Sequence, residues 1–432
     1  MLCICAICVA CIIAGVIFCK PYLGVALVIV SIPFEGIIDL GHFSIYPLET
    51  ILAILVLVYI YKSILGRYNG FRNVKLVYCC IPFILCIMLS AIKSIELSLT
   101  VKEIVRWLEL FLIYYLTINL INDDKKMRVV LYSIFLTMAI VSVFGIIDYL
   151  SVEYSGGRIY KTDRAGSFFD NPNPLAGYAN LIIPVSFVML MTSVCLWERI
   201  TLGVFTVLSI VVWSLTFSRT AWVSLVLTMI LVFFLTKIKK RVVLVLVVFF
   251  AISVVAILLL PSNIKGKFMG TTTLNAVKVS LEPRALCYPI GLNMVKDDLI
   301  LGIGIGNYPL LIKKYTKVRE LTHYVQVYDI THHHLLSLYL QVFVETGAAG
   351  LSAFVFWLVC TVRYLVSSLK SLENSRHYWL FVGLMGGVIV YLFNNLADVL
   401  TVHGIHLQWG IILGLAVVLT QFRKSETCLK TA

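Results

Sequence analysis

Residues 332–360 read HHHLLSLYLQVFVETGAAGLSAFVFWLVC. From Leu335 to Cys360 the run holds one charged side chain, Glu345. A bilayer core is crossed by about 20 predominantly apolar residues in a helix, and this run exceeds that. Comparable runs recur from one end of the chain to the other. Of 432 residues, 60% are hydrophobic and 13% charged, with a mean hydropathy of +0.98. That leaves too little polar surface for a soluble domain of this length. Backbone groups in lipid must be satisfied internally, and continuous rather than alternating apolar runs select helices over a barrel. The expected fold is all-α and polytopic, with about 12–13 transmembrane helices, one large extracytoplasmic loop and no soluble enzymatic domain.

The spacing predicts spans near 2–19, 21–34, 47–62, 76–92, 103–121, 129–150, 177–196, 200–217, 220–236, 242–260, 335–360, 378–396 and 405–421. An N-terminal bundle of about ten helices then occupies 1–260. The extracytoplasmic loop, with interfacial helices, takes 261–334. The last helices and a short cytoplasmic tail take 335–432. Alternate connections are basic: 62–75, 125–128, 237–241, 363–376 and 423–424. The positive-inside rule sets these in the cytoplasm. The start lacks a basic leader region and a small-residue cleavage site, so the first helix is expected to be retained. Five of the twelve cysteines precede Lys20, some at CxxC spacing. In apolar helices they read as small hydrophobic residues rather than metal or redox ligands. There is no evident internal repeat of the kind that marks inverted-repeat transporters.

The opposite face holds four polar segments. DRAGSFFDNPNPLAGY (163–178) combines Arg164 with Asn171-Pro172-Asn173-Pro174, which is turn and helix-start chemistry. TFSRTAWVSL (216–225) sets Arg219 between two apolar runs. A guanidinium there is costly unless paired, placed in a wet cavity or snorkelled to the interface. EPRALCYPIGLNMVKDDLILGIGIGNYP (282–309) carries Arg284. Its part from 284 to 295 is amphipathic enough to lie on the membrane surface. The glycine-dense turn 302–307 suits close backbone approach or exposed amides, and it lacks the βαβ context of a dinucleotide site. The fourth segment is the opening one. A helix beginning near His332 would align His334, Gln341 and Glu345 down one stripe. A histidine at its watery end can accept a hydroxyl proton near neutral pH. His323, His403 and His406 raise the question of a metal, but adjacent histidines on a helix point in different directions and no carboxylate pair completes a ligand set. The long loop has nine Lys/Arg against five acids. That suits an anionic substrate, or is a solvated face.

RAGSFFDNPNPLAGY, FSRTAW, LILGIGIGNYP and HHHLLSLYLQVFVETGAAGL, in this order, resemble the O-antigen ligase and O-antigen polymerase superfamily of bacterial membrane glycosyltransferases. The resemblance implies a multi-pass protein of the bacterial cytoplasmic membrane with its active site on the extracytoplasmic face. It implies an undecaprenyl-diphosphate-linked oligosaccharide as donor and a glycan as acceptor. It implies no cofactor, no metal, no nucleotide sugar and no nucleic acid, with a flippase and a chain-length regulator as candidate partners. By the same resemblance, arginines bind the diphosphate, matching Arg219 and Arg284 with Arg164 as a third, and a histidine activates the acceptor. The family histidine aligns near Leu336-Ser337 here, so His334 and then His332 are the candidates. Glu345, Gln341 and Asn173 are supporting residues. The expected activity is polymerisation of lipid-linked repeat units into a surface polysaccharide. Alternatives are ligation to lipid A-core, transport of a small anion such as bicarbonate, and a scaffold role in an export complex. Charges within spans, such as Arg106, Glu109 and Asp148, fit a transporter, an enzyme or structural pairing.

Overall fold

The computed structural model describes residues 2–34, 38–39, 44–45, 47–67, 75–151, 164–169, 171–236, 287–315 and 334–431. The span expected at 242–260, most of the loop 261–334, and both Arg284 and His332 lie outside the described residues. Within them the chain is an all-α polytopic membrane protein. Its helices are α1 (Leu2–Cys19), α2 (Tyr22–Ser31), α3 (Pro47–Ile64), α4 (Lys75–Ser90), α5 (Leu97–Leu120), α6 (Asp124–Ser151), α7 (Pro172–Thr192), α8 (Leu196–Leu215) and α9 (Arg219–Leu235). They continue as α10 (287–295), then α11 (Tyr308–Tyr315), α12 (Leu338–Leu372), α13 (Tyr378–Asn394) and α14 (Ile405–Thr431). A two-residue hairpin pairs Ile38 with Ile45. Seven of the described helices are long and apolar enough to cross a membrane, and four shorter apolar helices lie among them. α5 is 24 residues long, but it carries Lys102, Glu103, Arg106 and Glu109.

α14 is the most enclosed span, with 89% of its apolar window buried. Its Trp409 stacks on Tyr391 of α13 at 4.9 Å between ring centroids and meets Trp357 of α12 edge-on at 5.5 Å. α7 and α13 run antiparallel, with Gly383 and Gly387 against Pro184 and Leu181. Small residues at such a crossing let two backbones approach closely where lipid provides no hydrophobic drive. A polar spine crosses four helices. Asn180 of α7 accepts from Trp213 Nε1 at 2.7 Å and donates to Ala221 O and Ser224 Oγ, both at 3.1 Å; Ser224 Oγ donates to Asn394 Oδ1 at 3.2 Å. Every one of these residues except Ala221 presents a polar group to an apolar interior, so each bond prevents an unsatisfied buried group. Asn180→Leu strands the indole N–H and is expected to cost about 1–3 kcal/mol, read as a lower melting midpoint in detergent.

The bundle has two distinct ends. Arg376, ahead of α13, hydrogen-bonds Asp124 at the start of α6. This joins the basic connections 125–128 and 363–376 at one end, as their shared charge requires. The other end gathers the starts of α5, α7, α9, α12 and α14 with the close of α13. Gln408 Nε2 donates to Tyr178 O at 3.3 Å, Leu338 N to Asn395 O at 3.0 Å, and His406 lies 3.6 Å from Glu109.

Candidate functional site

The segment 164–169 folds over the corner between α8 and α9. Ala165 N donates to Leu215 O at 3.0 Å. Asp148, at the end of α6, accepts from the N–H groups of Gly166 and Ser167 at 3.2 and 3.3 Å. This intramembrane-edge acid is therefore used to hold the segment. Asn171 caps α7 through the Asn173 N–H at 2.9 Å, and Pro172 occupies the first helical position, where a missing N–H costs nothing.

Arg164 is locked by this frame. Its Nε donates to Thr216 O at 2.6 Å and its Nη2 to Asn173 Oδ1 at 2.9 Å. Thr216 belongs to the turn that closes α8; Phe217 follows with φ 50°, and Arg219 is the first residue of α9. Arg164 and Arg219 are close enough for their charges to repel. Burial, then Arg219, push the Arg164 guanidinium down to about 10, with Asp398 acting in the opposite sense. At neutral pH it remains charged. The structure thus brings Arg164, Asn173 and Arg219 to one corner, with Asp398 of the α13–α14 connection as the nearby acid. Two guanidinium groups set beside Asp398 are a setting that suits an anionic ligand.

His334 is not on the helical stripe expected from a start near His332. α12 begins at Leu338, with Ser337 as its N-cap. The reason lies in the backbone. Leu336 has φ 55°, and the Leu338 N–H donates to Asn395 O and Asp398 O, both at 3.0 Å, instead of closing a first turn on His334. His334 therefore sits half-buried in a non-helical approach, four residues before the contact with Asp398. Leu338, Gln341 and Glu345 do share a face and line one void of about 10 Å³ with Glu103 and Thr401.

Glu345 and Gln341 belong to a different feature, the dock of the glycine-dense turn. α12 breaks at Gly347 (φ 67°, ψ −170°). Into the break fits 299–306: Ile303 N donates to Val344 O at 2.9 Å, Gly304 N to Glu345 O at 3.1 Å, and Ala348 N to Leu299 O at 2.8 Å. The Glu345 carboxylate faces the Gly306 and Tyr308 amides and the Gln341 side chain. Close backbone approach, one of the two roles expected for the glycines, is what they serve. Asn307 Nδ2 donates to Ile303 O and Lys93 O, each at 2.8 Å, and Lys93 pairs with Asp298 and donates to Gly302 O at 2.9 Å. Lys93 holds the Asp298 carboxyl below the usual range. Lys93, Asn307 and Asp398 were not singled out in the sequence, because isolated polar residues at helix ends look like solvated loop residues. Along α5, Arg106 pairs with Glu103, and His406 Nε2 lies 3.6 Å from Glu109. His403 instead packs edge-on to Phe169, so the two late histidines face different neighbours.

No curated protein matches the chain. Residues 204–355 match the family model described as O-antigen ligase. The matched stretch runs from α8 through Arg219 and the glycine-dense turn to the break in α12. The match supports, over this part of the chain, the resemblance to the O-antigen ligase and O-antigen polymerase superfamily.

Proposed function

We propose that the chain polymerises oligosaccharide repeat units carried on undecaprenyl diphosphate, at the extracytoplasmic end of its bundle. The observation that carries this reading is the pair Arg164 and Arg219, held at one corner against their own repulsion. A diphosphate between them converts that repulsion into attraction. As the bond from the sugar anomeric carbon to the diphosphate oxygen breaks, negative charge grows on the leaving group. Guanidinium groups grip phosphate in a bidentate fork and stay charged throughout. Their electrostatic gain is therefore greatest in the transition state. The acceptor hydroxyl attacks the anomeric carbon, and its proton passes to His334 as general base, worth ~10²–10⁴-fold. Arg284 and His332 are assigned to the same site by the motifs that carry them. The apolar helices around the corner give the polyprenyl chain a lipid-side berth.

The test is reconstitution in liposomes with a lipid-diphosphate oligosaccharide, with polymer length read on gels. His334→Ala is expected to lower turnover by ~10²-fold or more while binding of the donor persists. Activity in excess chelator is expected to match that in divalent cation. Product that appears only when lipid A-core is supplied would instead make the chain a ligase. A His334→Ala variant with full turnover would remove the assigned base.

A further inference from the structure

At the end of the bundle opposite the arginine corner lies a cavity of about 400 Å³. That falls within the range of small-ligand sites, roughly 300–1,000 Å³. It sits between the start of α6, the close of α7, the start of α8 and the start of α13. Its apolar floor includes Met127, Leu131, Met189 and Leu380, and its walls carry charge of both signs. Nothing in the glycosyl-transfer reading uses it.

The charges are incompletely matched. Asp124 and Arg128 are four residues apart on α6, which sets them side by side on one face. Asp124 Oδ2 takes the hydrogen bond from Arg376, while Asp124 Oδ1 receives none. His377 Nε2 lies 3.6 Å from that oxygen. In this arrangement it accepts from Arg376 Nε at 3.1 Å. Arg376 is itself 68% exposed, so the neighbour crowding Asp124 is movable. On the other wall, Glu198 is satisfied by Tyr132 at 2.8 Å and Ser193 at 3.0 Å. Arg128 pairs loosely with Glu198 at 3.7 Å and also reaches the Tyr132 hydroxyl, with its side chain 62% exposed. One helix face thus offers a carboxylate oxygen without a hydrogen-bond donor and, one turn on, an exposed guanidinium only loosely paired with Glu198.

The mouth gives the setting. At the rim of the cavity, the α7–α8 connection exposes Val194 at 96%, and the first turn of α8 exposes Leu196 at 67% and Trp197 at 78%. Exposed tryptophan beside exposed aliphatic residues marks the water–lipid boundary of a membrane protein. A ligand here meets the headgroup layer on one side and an apolar floor on the other.

From these contacts we infer that the cavity binds the headgroup of a phosphoethanolamine lipid. Its primary ammonium hydrogen-bonds Asp124 Oδ1, its phosphate pairs with Arg128, and an acyl chain lies over the Met189 and Leu380 floor. A zwitterion fits because the wall carries both signs within one helical turn. A primary ammonium fits because the carboxylate lacks a hydrogen-bond donor, which a quaternary ammonium cannot supply. A lipid fits better than the free headgroup because the rim and floor are apolar.

The full-length protein in detergent is titrated with phosphatidylethanolamine, phosphatidylcholine, phosphatidylglycerol or soluble phosphoethanolamine. Retention is read by native mass spectrometry and the melting midpoint by fluorescence. Phosphatidylethanolamine is expected to be retained at about tenfold lower concentration than the other two lipids, a difference of about 1.4 kcal/mol, and to raise the midpoint. Arg128→Gln and Asp124→Asn are expected to remove that preference, and Arg128→Gln should keep the lipid-free midpoint of the parent. Equal retention of the choline or glycerol lipid overturns the inference. So does full preference in both variants, or equal stabilisation by the soluble headgroup. If Asp124→Asn does not fold, lipid selectivity and Arg128→Gln decide the matter.

Discussion

Arg219→Ala is expected to abolish polymer formation, with turnover falling by ~10²–10³-fold, the size found when one preorganised donor to a developing anion is removed. Arg219 is half-buried as the first residue of α9. Its backbone stays helical when the side chain is truncated, because Ser218 O still accepts from Trp222 N at 3.1 Å. The protein should therefore accumulate in the membrane at parental levels, with loss confined to chemistry. Arg219→Lys keeps the charge but loses the fork, so it should recover only part of the rate. Removing Arg219 also relieves Arg164 of its neighbouring cation, which should make Arg164 no harder to keep charged. Radiolabelled donor incorporated per minute, normalised to protein in the membrane, checks the effect. Parental turnover in Arg219→Ala would eliminate the diphosphate role and leave a scaffold reading standing.

Gly347→Ala carries the second large effect, and it acts on folding. An added Cβ would lie 2.2 Å from Ile300 O, and the residue would have to hold φ 67°. The clashing atom is backbone in a segment that is itself docked by four hydrogen bonds, so neither side can give way cheaply. A cost above ~4 kcal/mol places the substitution in the exceptional class of single changes. Gly302 is the reciprocal case, where a Cβ would meet Val344 O at 2.5 Å at φ 71°. Gly203, in the middle of α8, is the control. Its nearest neighbour to an added Cβ is Leu190 Cδ1 at 3.8 Å, so Gly203→Ala should be neutral or stabilise by about 0.5–1 kcal/mol. Fluorescence-detected size exclusion after heating separates the three. A Gly347→Ala variant with the parental midpoint would mean that the glycine-dense turn does not depend on the break in α12.

The membrane class of this chain follows from amino-acid order alone, for a physical reason. Hydrocarbon thickness dictates span length, and the charge of Lys125, Lys126, Arg128 and Arg376 dictates which connections share an end. Both are properties of local sequence against a uniform solvent. Most helix ends fell within a few residues of their expected positions because Pro172, Asn171 and the charged connections act locally. The two arginines of 163–178 and 216–225 were legible for a related reason, since a guanidinium beside an apolar run is costly wherever the rest of the chain goes.

What the tertiary structure alone decided is how distant segments share hydrogen bonds. The α12 start moved from the histidines to Leu338 because the connection 395–398 supplies the acceptors for its first N–H. Glu345, which periodicity grouped with His334, turned out to face the amides of Gly306 and Tyr308. Its stripe position was right, but what lay opposite the stripe depended on a loop about 40 residues earlier closing onto a break in the helix. Asp398 gained its place beside Arg164 in the same way. Hydrophobic period encodes which face of a helix turns inward; which polar group waits there is set only when the helices pack.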